Sequence, residues 1–193
     1  MTKIALLRHG HTAWNREGRL QGRTDIPLDD EARAQLSEFR LPGAWTDATL
    51  VSSPLARARE TAAIVAGRDP IAVPALTEMN WGDWEGQFGR ELRADPTSGY
   101  QDMEHWGWSM RPPNGEALDE LRDRVVPWAL ALSNDTIAVC HIGVMRVLLA
   151  AATGWDFIGD APFAVKRNRL FVLQIADRKL SWDGEITRLE KVT

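Results

Sequence analysis

Two stretches far apart in the chain end alike. Lys3-Ile-Ala-Leu-Leu-Arg8 runs straight into His9-Gly10, and Thr136-Ile-Ala-Val-Cys140 runs into His141-Ile142-Gly143. Short continuous apolar runs of this kind read as strands buried on both faces of a parallel sheet. In such sheets ligands bind beyond the carboxyl ends of the strands, so two histidines placed there would face one cleft. A neutral imidazole can attack phosphorus, ligate a metal or sit as a satisfied polar group. Arg8 bears on the choice, because a permanent positive charge beside a histidine disfavours a bound cation and favours an anion. No Asp or Glu adjoins either histidine. The pair points toward phosphate chemistry, with metal ligation and a structural role as the competing readings.

The elements that must hold this pair follow from the pattern around it. After the first apolar run, residues 11–28 are loop-like, punctuated by Asn15, Gly18, Gly22 and Pro27. Asp29 to about Arg40 has helical spacing, capped near Asp29 or Asp30 and closed by Pro42-Gly43. Thr49-Leu-Val-Ser52 is a second strand. Ser53 as N-cap and Pro54 as first helical residue predict a helix reaching about Gly67. Ile71-Ala-Val73 predicts a third strand. Residues 77–113, rich in Trp, Gly and charge, read as short helices inserted over the sheet. Gly115-Glu116 opens a long helix to about Leu132, interrupted by Pro127. A helix over Val144–Thr153 follows the second histidine, and residues 170–192 read as two or three short strands around an Asp177-Arg178-Lys179 turn. Alternating strands and helices predict a three-layer α/β/α sandwich on a mostly parallel sheet, with a small helical insertion over the site.

Composition sets the outer bounds. At about 150 residues per domain, 193 residues predict one domain spanning 1–193, with 77–113 as its insertion or cap. The 44% apolar and 26% charged content is that of a globular chain. A net charge of −4 argues against sequence-independent nucleic-acid binding, so an anionic substrate needs a local cluster of cations. One cysteine, Cys140, excludes an internal disulfide and a cysteine-based zinc site. No apolar stretch approaches the ~18 residues that span a bilayer, and Arg8 interrupts the first apolar run before it could act as a signal segment. The expectation is a cytoplasmic protein, monomeric or homodimeric, with no membrane, nucleic acid, metal or cofactor.

Leu7-Arg8-His9-Gly10-His11-Thr12 with Asn15 resembles the RHG signature of the histidine phosphatase (phosphoglycerate-mutase-like) superfamily. Four further blocks resemble that family, in its order. They are Ser52-Ser53-Pro54-Leu55 with Arg57-Ala58 and Thr61-Ala62; Leu76-Thr77-Glu78 with Gly82-Asp83-Trp84-Glu85-Gly86; Pro113-Asn114-Gly115-Glu116; and Val139-Cys140-His141 with Gly143 and Arg146. Three positions depart from the family pattern without touching a reacting group: His11, Ala32 and Ile142.

The resemblance implies that His9 is a nucleophile forming a phosphohistidine, with Arg8, Arg57 and His141 on the phosphoryl oxygens. Forked guanidinium donors match such oxygens in pairs. Periodicity alone does not separate Arg57 from Arg59; the family block selects Arg57. Asn15 is a candidate amide contact whose alternative is a loop-stabilising turn. The proton donor should be a carboxyl group in a partly apolar setting. Glu78 and Glu85 both lie among tryptophans, and the resemblance selects Glu78, which would also contact substrate and later activate water.

The resemblance implies a metal-free phosphomonoesterase acting on a small phosphorylated metabolite. Mutase-type transfer to a phosphoglycerate, a phosphoprotein phosphatase and a non-catalytic phosphate-binding module are the alternatives. The short Thr77–Gly86 stretch lacks the longer basic segment of the mutases, and phosphohistidine phosphatases lack an insertion such as 77–113. All five reacting groups are present, which speaks against a binding module. Nine tryptophans against one tyrosine is an unusual balance; most are core pieces, and Trp106 or His105 is the best candidate for the substrate mouth. Trp106 to Glu116 is similar to the matching stretch of α-ribazole phosphatases, making α-ribazole phosphate the first named candidate.

Overall fold

The strand predicted to carry the first histidine, β1 (Thr2–Arg8), and the one predicted to carry the second, β5 (Thr136–Cys140), lie side by side. They pair in parallel from Ile4 opposite Thr136 to Arg8 opposite Cys140, so His9 and His141 leave the sheet at the same level. The chain is described from a computed structural model covering residues 1–192.

Outward from β5 come β3 (Thr49–Ser52) and β4 (Ile71–Ala72), both parallel to their neighbours. On the other side β6 (Arg169–Ala176) runs antiparallel to β1, and β7 (Lys179–Ser181) and β8 (Ile186–Arg188) pair with β6. The sheet therefore has seven strands, in the order β4-β3-β5-β1-β6-β7 with β8 joined to β6. A separate two-stranded ribbon joins β2 (Phe39–Arg40) to β9 (Glu190–Lys191). Residues 11–28, expected as loop, hold one short helix, α1 (Ala13–Glu17), because Thr12 caps it by accepting from Asn15 N.

Alternation along the central strands divides the core into two layers, since successive side chains point to opposite faces. Ala5, Leu7, Ile137 and Val139 pack with residues of α2 (Asp30–Leu36) and α3 (Ala56–Ala66). Ile4, Leu6, Ala138 and Cys140 pack with α5 (Leu118–Leu130) and α6 (Ile142–Thr153). Both faces of the sheet are covered, as parallel strands require. The fold is α/β, with a mostly parallel central sheet.

Several boundaries differ from the sequence reading. The helix predicted over 29–40 stops at Leu36; Asp29 caps it by accepting from Ala32 N at 2.7 Å, and Phe39–Arg40 pairs with β9 instead. α3 begins at Ala56, not Pro54; Ser53 Oγ accepts from Leu55 N at 3.3 Å, a turn that delays the helix by two residues. α5 starts at Leu118, because residues 112–116 are held as a loop by bonds such as Glu116 N to Asn80 O. The end of the chain forms four strands where two or three were predicted, and residues 177 and 178 turn with positive φ, as a tight hairpin demands. Residues 77–113 are largely irregular. Their helical content is one turn at Gly82–Trp84 and the short α4 (Gly89–Ala94), because a Gly- and Trp-rich stretch finds its stability in packing.

Candidate active site

At the paired ends of β1 and β5 the His9 and His141 rings lie with centroids 5.1 Å apart, tilted by 58°. Two close packings fix the backbone there. Gly10 N donates to Thr61 Oγ1 at 3.0 Å, and a Cβ on Gly10 would lie 2.8 Å from Leu36 Cδ1, so a larger residue would have to displace the Leu36 side chain of α2. Gly143, in the first turn of α6, donates its N–H to Glu78 Oε2 at 3.1 Å, and a Cβ there would collide with that carboxylate.

His9 is oriented unambiguously. Its Nδ1 lies 2.6 Å from Gly10 O, an acceptor only, so Nδ1 carries the proton and Nε2 holds the lone pair. Burial first, then the positive charges of Arg57, Arg8 and Arg167, hold the ring well below its usual pKa, while the Gly10 bond acts the other way. His141 is fully buried and likewise well below its usual value, chiefly through burial and then through His9, Arg57, Arg124 and Arg8. Among the described residues neither of its ring nitrogens has a hydrogen-bond partner.

Around this pair are buried cations with unspent donors. Arg57, on α3, is fully buried; it donates to Thr24 O (3.0 Å) and Gly22 O (2.6 Å), and its Nε has no partner. Arg8 Nε is also buried without a partner. Burial, then Arg167 and Arg146, lowers Arg8 to about 9 against the pull of Glu78, which still leaves it charged at neutral pH. Unpaired buried donors are costly; here two of them belong to arginines whose charges bear on His9.

Glu78 is almost wholly buried, with its carboxylate accepting from Gly143 N and, at 2.9 Å, from Met79 N. Burial raises its pKa against those bonds and the charges of Arg57 and Arg124. Arg124 holds the segment carrying it, donating to Ala75 O, Thr77 O and Glu78 O and to the carboxylate of Glu116. Glu85 has a different task. Its carboxylate accepts from Arg23 N, Thr24 N and Thr24 Oγ1; burial alone would raise its pKa, but these bonds together lower it. It fastens the loop that receives Arg57 and does not line the cavity.

A cavity of about 370 Å³ opens above His9, lined among others by Arg8, Asn15, Glu78, Arg146, Trp81 and Trp106. Arg57 and His141 are fully buried and do not line it, although the His141 ring lies 5.1 Å from that of His9, which does. Trp106 sets its ring edge against Trp81, centroids 5.6 Å apart, and donates Nε1 to Gln101 O at 2.7 Å. His105 is exposed and outside the cavity, and His11 faces a separate small recess. Trp108 packs on Phe157. Sequence reasoning missed Arg167, which donates Nε to His9 O (3.1 Å) and Nη2 to Asn15 Oδ1 (3.0 Å). It precedes β6, 158 residues beyond His9, and only the antiparallel β1–β6 pairing brings it there. Among the described residues no group of three or more His, Cys, Asp or Glu is arranged to hold a metal ion.

The profile of the histidine phosphatase superfamily (branch 1) matches residues 4–184. The chain belongs to this superfamily. It is similar to an uncharacterized phosphatase, PhoE, of Bacillus subtilis, at 32% identity over 81% of this chain and 80% of that protein. Among solved structures, a phosphoglycerate mutase from Thermus thermophilus superposes with a TM-score of 0.74 at 32% identity, over the full length of both chains. A candidate alpha-ribazole-5′-P phosphatase from Escherichia coli superposes with a TM-score of 0.73 at 25% identity, over 98% of this chain and 96% of that one. The chain thus has a phosphatase- or mutase-type function of the histidine phosphatases. No helix of the described residues is long and apolar enough to cross a membrane.

Proposed function

We propose that this histidine phosphatase is a phosphomonoesterase that works through a phosphohistidine at His9. The observation that carries the reading is the set of buried, unpartnered donors on Arg8, Arg57 and His141 beside a histidine whose Nδ1 is already committed. A phosphoryl group at that point satisfies the donors and meets Nε2 in line. The Nε2–P bond forms as the bond from phosphorus to the leaving oxygen breaks, and Glu78, whose pKa burial raises, gives that oxygen its proton from its protonated form. Water then attacks phosphorus, returning a proton to Glu78 as the Nε2–P bond breaks and inorganic phosphate leaves. The dianion raises the pKa of His141 on binding, so that ring donates to an oxygen while the complex lasts. The arginines supply the charge neutralisation that magnesium supplies elsewhere, so no metal is required.

Within this reading the substrate is a small metabolite with a planar end, and α-ribazole 5′-phosphate is the first candidate. Support comes from the Trp81–Trp106 wall of the cavity, from the Trp106–Glu116 resemblance and from the alpha-ribazole-5′-P phosphatase neighbour.

The test is an acid quench during turnover of a ³²P-labelled phosphomonoester. Wild type is expected to carry acid-labile, base-stable label and to release inorganic phosphate with EDTA present, whereas His9→Ala carries none. Label persisting in His9→Ala would end the phospho-His9 reading, and label passing to 3-phosphoglycerate in preference to water would replace the hydrolase by a mutase.

A further inference from the structure

Asn15 reaches the cavity by one end of its amide only. Its Oδ1 accepts from Thr12 N at 3.3 Å and from Arg167 Nη2 at 3.0 Å. Both neighbours are donors without accepting capacity, so the oxygen must face them. Among the described residues the Nδ2 group has no acceptor, and Asn15 lines the cavity. We propose that Arg167 is a positioning residue that selects this end of the amide, so that Asn15 presents a donor and not an oxygen to the phosphoryl group. The inference rests on the phosphomonoesterase reading and concerns the same pocket.

Several features make Arg167 the selecting partner. An amide's oxygen and nitrogen ends occupy nearly the same shape, so packing cannot choose between them and hydrogen bonding must. Arg167 gives the shorter of the two bonds, and it is charge-assisted, hence the stronger. An amide turned the other way would set Nδ2 against a guanidinium and point a lone pair at an anion. The second bond of the same guanidinium, Nε to His9 O, ties the orienting group to the residue that reacts. One planar fork thus fixes both the nucleophile's backbone and the polarity of a neighbouring contact. Arg167 enters from the segment before β6, an element that carries none of the other reacting groups.

The experiment is a double-mutant cycle with two readouts: affinity for inorganic phosphate by calorimetry, and kcat/KM on p-nitrophenyl phosphate. Arg167→Met and Asn15→Ala are each expected to weaken both about tenfold, as loss of an orienting partner commonly does. The double variant is expected to lose clearly less than the two single losses combined, because the part of Arg167's effect that passes through the amide is already gone in Asn15→Ala. Asn15→Asp, which fixes oxygen at both ends, is expected to lose at least as much as Asn15→Ala. Should Arg167→Met not fold, Arg167→Lys replaces it in the cycle, keeping the charge and losing the fork. Additive losses would assign Arg167 an independent effect of charge or folding and overturn the proposal, as would an Arg167 variant that matches wild type. A wild-type protein that neither binds phosphate nor hydrolyses the ester would remove the phosphomonoesterase reading, and this one with it. A normal wild type with an additive cycle removes only the positioning role.

Discussion

The floor and the roof of the cavity are built differently. The floor is the seam of β1 and β5, where ladder hydrogen bonds, Gly10 against α2 and Gly143 against Glu78 leave the reacting groups little freedom. The roof, residues 95–117, has no helix or strand; it is held by edge-on aromatic contacts such as Trp81–Trp106 and Trp84–Tyr100 and by the exposed Arg93–Asp102 pair. Groups that must meet a transition state within fractions of an ångström are best placed on rigid elements, whereas loops carry variation in what is bound. The two regions should therefore fail differently: damage to the floor slows every substrate, and damage to the roof discriminates among substrates.

Glu78→Gln offers the sharpest test of the floor. On an alkyl phosphomonoester it is expected to lower kcat by about 10²–10⁴, the usual contribution of a general acid. On p-nitrophenyl phosphate, whose nitrophenolate departs without a proton, the loss should largely vanish. Equal losses on the two esters would place the acid elsewhere. Glu85→Gln should show no such leaving-group dependence, since its carboxylate is spent on Arg23 and Thr24.

His141→Ala removes donors from the developing charge and is expected to lower kcat by about 10²–10³. The loss should be the same for every phosphomonoester tested. A loss confined to one substrate would mean that His141 reads the leaving group, which would erase the proposed division between floor and roof.

The pH profile follows with a smaller effect. His9 must be neutral to attack, and its pKa is lowered, so the acid limb of kcat/KM should lie below the ordinary histidine value of about 6.5. Glu78 must be protonated to donate, and its pKa is raised, so the alkaline limb should lie above the ordinary carboxylate range and be missing with p-nitrophenyl phosphate. Stability carries the same sign. A buried histidine kept neutral contributes stability above pH 6.5 that is lost as pH falls toward the folded value, by no more than about 1.4 kcal/mol per pH unit for each ring. Urea unfolding at stepped pH below 6.5 should accordingly show a shallower decline in His141→Ala than in wild type.

The floor was legible in the sequence because each of its parts is local. An apolar run ending in Arg8-His9-Gly10 states its strand, its end and its charge within a few residues, and the same holds for Val139 to Gly143. Glu78 lies in a block whose resemblance could be read directly. Arg167 had no such signal: nothing near Lys166-Arg167-Asn168 distinguishes it from a surface charge, and only an antiparallel partner for β1 brings it to His9. Residues 77–113 are expected as short helices from their richness in Trp, Gly and charge, a composition that carries no helical spacing. They are mostly irregular because their tryptophans are stabilised by one another more than by backbone spacing. The start of α3 was misplaced for a related reason, the Ser53 turn competing with the helix for the same backbone groups.

The roof itself is best tested at Trp106, where the smallest effect is expected and the substrate assignment is decided. Its indole N–H is already given to Gln101 O, so the ring can offer a substrate only a face or an edge. Stacking on a planar heterocycle contributes about 1–3 kcal/mol in comparable nucleic-acid sites, and a half-buried ring shared with Trp81 should lie near the lower end. Trp106→Ala is therefore expected to lower kcat/KM for α-ribazole 5′-phosphate about tenfold, or about 1.4 kcal/mol. It should leave 3-phosphoglycerate and fructose 2,6-bisphosphate nearly unchanged, because neither has a planar ring to lose. In wild type the aromatic-ended ester should be preferred over both. A tenfold preference for either non-aromatic substrate would defeat the stacking argument, even if every prediction about the floor held. A uniform loss across all substrates in Trp106→Ala would show instead that the roof positions the reacting groups, and the contrast between the two regions would fall.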